Sequence, residues 1–165
     1  KSWLMTALAI ETCLRTPEAD VRYAAPNQKM ARGIVARHLE KQLRECPDDL
    51  APRHYVQENR WVFPNGSEIT LAGCDSGGAE RLRGTSTTLG IVDEAGFVDD
   101  LEYVVQDVLL PQTLTTNGRL LLVSTPARTP AHPTPLAPLL ASGHTVRVRK
   151  STYSMPKKNC ARAPT

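Results

Sequence analysis

The sequence predicts an α/β domain: a mostly parallel sheet with helices on both faces. Three observations carry this expectation. Helix-period and strand-like segments alternate along the chain, the strands at 88–92 and 119–123 are continuously apolar after Thr88 and Arg119 rather than alternating, and Pro or Gly marks most of the joins. The chain has 165 residues and a mass of 18.1 kDa, which is one domain or a piece of one. A chain of that size buries roughly 70% of its unfolded surface, enough for a true core.

Residues 2–15 predict a helix with apolar groups on most sides (Trp3, Leu4, Met5, Ala7, Leu8, Ile10, Leu14), the pattern of a helix packed on a sheet. Val21–Ala25 reads as a short strand, and Pro26-Asn27 opens a second helix from Gln28 to Cys46. Its apolar stripe is Ala31, Ile34, Val35, Leu39 and Leu43, and Pro47-Asp48 stops it. Two strand-like runs follow, 54–57 and 60–63, and Asn65-Gly66 turns the second into a third at 67–72, the strongest short-range hairpin signal there is. Gly73–Gly84 reads as a loop. A buried strand at 88–92 ends in two acids, and Leu101, Val104, Val105, Val108 and Leu109 carry helical spacing that Pro111 ends or restarts. The strand at 119–123 stops at Ser124-Thr125-Pro126; residues 126–143 read as a proline-rich loop and 145–149 as an edge strand.

Composition narrows the function classes. Hydrophobic residues make up 41% and charged residues 22%, which argues against a disordered chain. The net charge of +3 is compatible with a nucleic-acid partner without demonstrating one. Cys13, Cys46, Cys74 and Cys160 have no metal-ligand spacing among themselves or with the four histidines, so reduced thiols are expected. No apolar run reaches the ~18 residues of a membrane span. Lys1 stands where an initiator Met would, and is read as a cut inside a longer protein.

Four motifs carry chemistry. Leu89–Val92 delivers Asp93 and Glu94 to a strand's carboxyl end, where α/β sheets collect their ligands. A P-loop NTPase requires that pair: the first acid holds magnesium, the second orients and deprotonates water. Two acids after a strand also suit a helix N-terminus. Lys1-Ser2 stands directly before an apolar helix, as the last two positions of GxxxxGK[ST] do, with lysine reaching phosphates and hydroxyl reaching magnesium. Ser124-Thr125, at the tip of the next strand, is placed to sense a γ-phosphate, or is a simple strand stop at Pro126. Arg81 and Arg83 lie in the loop before the acidic strand, and Arg83 is the candidate to reach transferring phosphate charge, in its own site or a neighbour's.

Taken in order, Lys1-Ser2, Val21–Asn27, Asn65-Gly66-Ser67, Leu82-Arg83-Gly84, Ile91–Ala95, Ser124-Thr125-Pro126 and the later Ser151-Thr152-Tyr153 cover almost the whole chain. In this the sequence resembles the large subunit of a tailed-phage terminase, the motor that packages viral DNA. The resemblance implies a RecA-like P-loop ATPase domain over 1–150, cut at its amino end inside Walker A, and a tail at 151–165 leading to a nuclease domain. It implies ATP and Mg2+ as cofactors, Lys1, Ser2 and Asp93 as their holders, Glu94 as the catalytic base, Arg83 as a charge stabiliser and Ser124-Thr125 as the coupling motif. It also implies double-stranded DNA, a portal protein and a small terminase subunit as partners, a homo-oligomeric ring on the procapsid, and the host cytoplasm as location. Without the phosphate-cradling glycines the fragment itself is expected to bind nucleotide poorly. The alternatives are another P-loop translocase or helicase, or a non-catalytic nucleic-acid-binding α/β module.

Overall fold

A computed structural model describes residues 1–75, 77–84 and 86–125. Among the described residues there are six strands: β1 (Asp20–Ala25), β2 (Arg53–Tyr55), β3 (Arg60–Val62), β4 (Glu68–Gly73), β5 (Leu89–Asp93) and β6 (Arg119–Val123). They form one sheet in the order β2-β3-β4-β1-β5-β6. The four strands from β4 to β6 run parallel, and β3 and β2 extend the sheet as an antiparallel wing. The mostly parallel α/β sheet expected from the sequence is therefore present. The expectations for 126–150 and for the tail at 151–165, Pro126 and Ser151-Thr152-Tyr153 included, lie outside the described residues.

Three helical stretches cover the sheet: α1 (Ser2–Arg15), α2 over residues 28–43 and α3 over residues 101–114. The strands alternate between two cores. Val21, Tyr23, Ile69, Leu71, Leu89 and Ile91 point to one face, where α1 and α2 supply Ala9, Cys13, Val35 and Leu39. Ala24, Ala72 and Val92 point to the other, against Leu101, Val104, Val108 and Leu109 of α3. Each fully buried aliphatic side chain stabilises by about 1.5–3 kcal/mol, against about 1 kcal/mol for a helix cap. A one-residue slip would swap the faces, so the two cores fix the register.

The Asn65-Gly66 turn does more than join β3 to β4. Gly66 takes φ 83, and the turn brings Asn65 Nδ2 and Ser67 Oγ onto the carbonyl of Cys13 at 2.7 and 2.8 Å. That carbonyl belongs to the last turn of α1, where no intrahelical donor remains. The hairpin thus caps the helix that carries Lys1-Ser2 at its other end.

Two helices contain a π-helical segment, Ala31–Val35 in α2 and Val104–Leu109 in α3. Such a segment inserts one extra residue and rotates the chain after it by about 100°. In α2 this keeps Ala31, Val35, Ala36 and Leu39 all buried. In α3 it lets the helix pass Pro111, which starts the further segment Leu110–Leu114 rather than ending the helix. Pro111 has no N–H, so the Asp107 carbonyl loses its α-helical donor; Arg83 Nη1 donates to it instead at 3.3 Å. The Gly73–Gly84 loop contains a short 3₁₀ helix, Gly78–Leu82, which buries Ala79 and Leu82 against α3's core.

Candidate functional site

All five residues of β5 are buried, and its last, Asp93, reaches the carboxyl edge of the sheet only 3% exposed. Glu94 then takes a left-handed backbone conformation, φ 51. A non-glycine residue meets a cost of about 1–2 kcal/mol there, and the turn carries the Glu94 side chain out of the strand's alternation. Gly96, two residues on, donates its amide to Ser124 Oγ at 3.0 Å. A Cβ at Gly96 would stand 2.7 Å from that oxygen, so a larger residue there would turn the Ser124 hydroxyl away.

The amino end of α1 packs against this turn. Lys1 Nζ forms an ion pair with Glu94, lies 3.9 Å from Asp93 Oδ1 and donates to Thr125 Oγ1 at 3.1 Å. Thr125 in turn grips the same glutamate, with its hydroxyl 3.0 Å from Glu94 Oε2 and its amide at 3.4 Å. Ser2, Asp93 and Glu94 line one cavity of about 60 Å³ with Pro26, Met30 and Ile34. The structure therefore brings together Lys1, Ser2, Asp93, Glu94, Ser124 and Thr125, residues up to 124 positions apart. Burial raises the Glu94 carboxyl, but Lys1 and then Thr125 outweigh it and hold the carboxyl below its ordinary range.

Arg83 does not join this group. Its guanidinium donates to Glu80 at 2.6 Å, to Tyr103 Oη at 2.9 Å and to the Asp107 carbonyl, and it stacks 5.8 Å from the Tyr103 ring. Among the described residues it makes no contact with Lys1, Asp93 or Glu94. The reason is local: the carbonyl freed by Pro111 and the acid one turn back supply nearer partners.

Tyr23 is the site residue that sequence reasoning missed. It is fully buried in the middle of β1, and its hydroxyl donates to Asp93 Oδ2 at 3.0 Å. The Glu94 amide donates to Asp93 Oδ1 at 2.9 Å. Two donors therefore fix the Asp93 carboxylate at both oxygens. Burial first, and the neighbouring Asp93 second, push the Tyr23 phenol upward, so it remains a donor. The usable signal was register: Tyr23 pairs with Ile91, two residues before Asp93 on the adjacent parallel strand.

Two carboxylates and a hydroxyl around one small cavity form a set of hard oxygen donors. Among the described residues no cluster of three or more His, Cys, Asp or Glu side chains forms a metal cage. This set fits Mg2+, which keeps much of its water and shares a substrate's phosphates rather than entering an all-protein cage. Among the described residues no helix is long and apolar enough to cross a membrane.

No family model and no curated protein matches the sequence. Solved structures match the fold. The large-terminase ATPase domain of Thermus phage P74-26 superposes with a TM-score of 0.62 at 20% identity, over 76% of this chain and 55% of that one. An arginine-to-alanine variant of the same domain gives 0.61. The large terminase of a thermophilic bacteriophage, in complex with ADP, gives 0.57 at 16% identity, over 76% of this chain and 30% of that one. This chain thus spans about half of the first two and less than a third of the last. It has the α/β fold of a phage large-terminase ATPase domain.

Proposed function

We propose that the chain is part of an ATP-hydrolysing motor domain of a terminase large subunit, which drives double-stranded DNA into a procapsid. The observation that carries this reading is the meeting of Lys1 with Asp93 and Glu94 at the carboxyl edge of the sheet. Lysine, a water-activating acid and a metal-holding acid are the parts that phosphoryl transfer needs around one triphosphate. One structurally similar large terminase is in complex with ADP, which supports a nucleotide as ligand.

In this reading Lys1 supplies positive charge to the β/γ-phosphates, and Ser2 with Asp93 holds Mg2+, which when bound neutralises charge on the phosphate oxygens. Tyr23 and the Glu94 amide keep Asp93 in one orientation. Glu94 orients water and takes its proton. Its ion pair with Lys1 means that the base is released only when an anion draws the lysine away. Ser124 and Thr125 contact Gly96 and Glu94, so a change in the site would reach β6 through these hydrogen bonds. Arg83 would act on a neighbouring subunit's phosphates, after giving up Glu80.

The test is phosphate release by a chain carrying a glycine-rich loop ahead of Lys1. Glu94→Gln should abolish turnover with nucleotide binding retained. Unchanged turnover would remove the catalytic assignment.

A further inference from the structure

Charge on this molecule is concentrated on one helix. Helix α2 with its C-terminal cap residue Arg44, residues 28–44, holds five cations, Lys29, Arg32, Arg37, Lys41 and Arg44, against the single acid Glu40, with Glu45 next along the chain. That is a net +4, while the whole chain carries only +3. All five cations are exposed. Elsewhere the cations are largely spoken for: Lys1, Arg15, Arg22, Arg60 and Arg83 each pair with a carboxylate. Among the described residues none of the five on α2 does; Lys41 lies 5.8 Å over the Trp3 ring instead.

Geometry turns these five into a track. At 100° per residue, Lys29 and Arg32 would face one way and Arg37, Lys41 and Arg44 another, roughly a quarter-turn or more away. The π segment Ala31–Val35 lies between the two groups and rotates the second back by about that angle. The same rotation that keeps Ala31, Val35, Ala36 and Leu39 on the core brings the cations into one stripe opposite. The stripe is about 22 Å long, the length of roughly six to seven base-pair steps of duplex DNA. It starts beside the candidate site, since Met30 and Ile34 line the cavity with Ser2, Asp93 and Glu94.

We infer that the outer face of α2 is a binding track for the phosphate backbone of double-stranded DNA. The choice of duplex DNA as ligand rests on the function proposed above; the existence and position of the track rest on the charge and the helix geometry. Contacts of this kind position the duplex and read no sequence. The outer face of the helix would then touch DNA along its length, while its amino-terminal half borders the residues that face nucleotide.

The test is the salt dependence of binding to a fluorescent duplex, measured without nucleotide. Arg37→Gln/Arg44→Gln should weaken binding about equally for unrelated sequences and make the slope of log affinity against log salt shallower by about two. Arg53→Gln/Arg119→Gln, which removes two exposed cations that are not on α2, should leave both quantities unchanged. In the wild-type chain, duplex DNA should protect Lys29 and Lys41 from acetylation, a readout that does not depend on any variant. Equal slopes for the α2 variant and wild type, equal loss in the control variant, or no protection of those lysines would overturn the track. So would equally tight binding to polyglutamate or single-stranded RNA. Because Glu94 is untouched and no nucleotide is present, these results stand apart from the hydrolysis test: either proposal can fail while the other survives.

Discussion

The two ends of the parallel strands each carry a cation facing two carboxylates, yet they are built for opposite ends. At the amino end Asp20 and Glu68 lie side by side in register on β1 and β4, and Arg22 joins them from the same face, with Thr70 Oγ1 3.2 Å from its guanidinium. Arg22 and Asp20 are only 11% and 14% exposed, and Arg60 closes the group from β3 at 3.1 Å. At the carboxyl end Asp93 and Glu94 are consecutive, and the left-handed turn at Glu94 frees one of them from the strand. There Lys1 comes from a helix terminus and the group opens on a cavity. Charges held inside strand pleats become structural; charges placed just past a strand end become available to a ligand.

This contrast breaks most cleanly by removing each cation. Lys1→Leu should lower hydrolysis by on the order of 100-fold or more and cost less than about 1 kcal/mol of stability, since the pair is part-exposed. Arg22→Leu should do the reverse. It strips Asp20 of its cation and leaves Glu68 held by Arg60 alone, a cost of about 3 kcal/mol read as a lower urea midpoint. If both substitutions act alike on stability, the division between the two ends is wrong.

Next in size is Tyr23→Phe, which keeps the ring in the core and removes only the donor to Asp93. Mn2+ affinity, followed by the paramagnetic signal of the free ion, should fall about tenfold, with about 1–2 kcal/mol of stability lost. An unchanged Mn2+ affinity would make Tyr23 a packing residue only.

The smallest effect concerns pH. Burial, against the opposing pull of Arg22, raises the Asp20 carboxyl to about 6. A carboxyl whose folded pKa exceeds its unfolded value takes up its proton first in the folded state. Its contribution therefore favours folding as pH falls from about 6 toward 4, and is lost as pH rises through 6. Asp20→Asn should remove about 1 kcal/mol of that pH dependence between pH 7 and about 5.3, measured as the difference in urea midpoints against wild type.

The sheet and its order of elements were legible because continuous apolar runs and the Asn65-Gly66 turn leave few alternatives. Lys1-Ser2, Asp93-Glu94 and Ser124-Thr125 were legible for a different reason: each stands at the end of a predicted element, and parallel strands bring such ends to one edge. What lay hidden depended on contacts between elements. Tyr23 looks like any strand aromatic until its register beside β5 is known. Arg83 looks like a free loop cation until the carbonyl released by Pro111 claims it. The basic face of α2 is blurred in an ideal helical projection, because the π segment that realigns it has no mark in the sequence.

The central claim is that Lys1 and the Asp93-Glu94 pair surround one triphosphate. It is tested most directly by acetylating the chain, with a glycine-rich loop ahead of Lys1, in the presence and absence of Mg-ATP, and reading each lysine by mass spectrometry. The account predicts that nucleotide shields Lys1 but neither Lys29 nor Lys41, and that Asp93→Asn removes the shielding. Equal labelling of Lys1 with and without nucleotide, in a chain that binds it, would contradict the account.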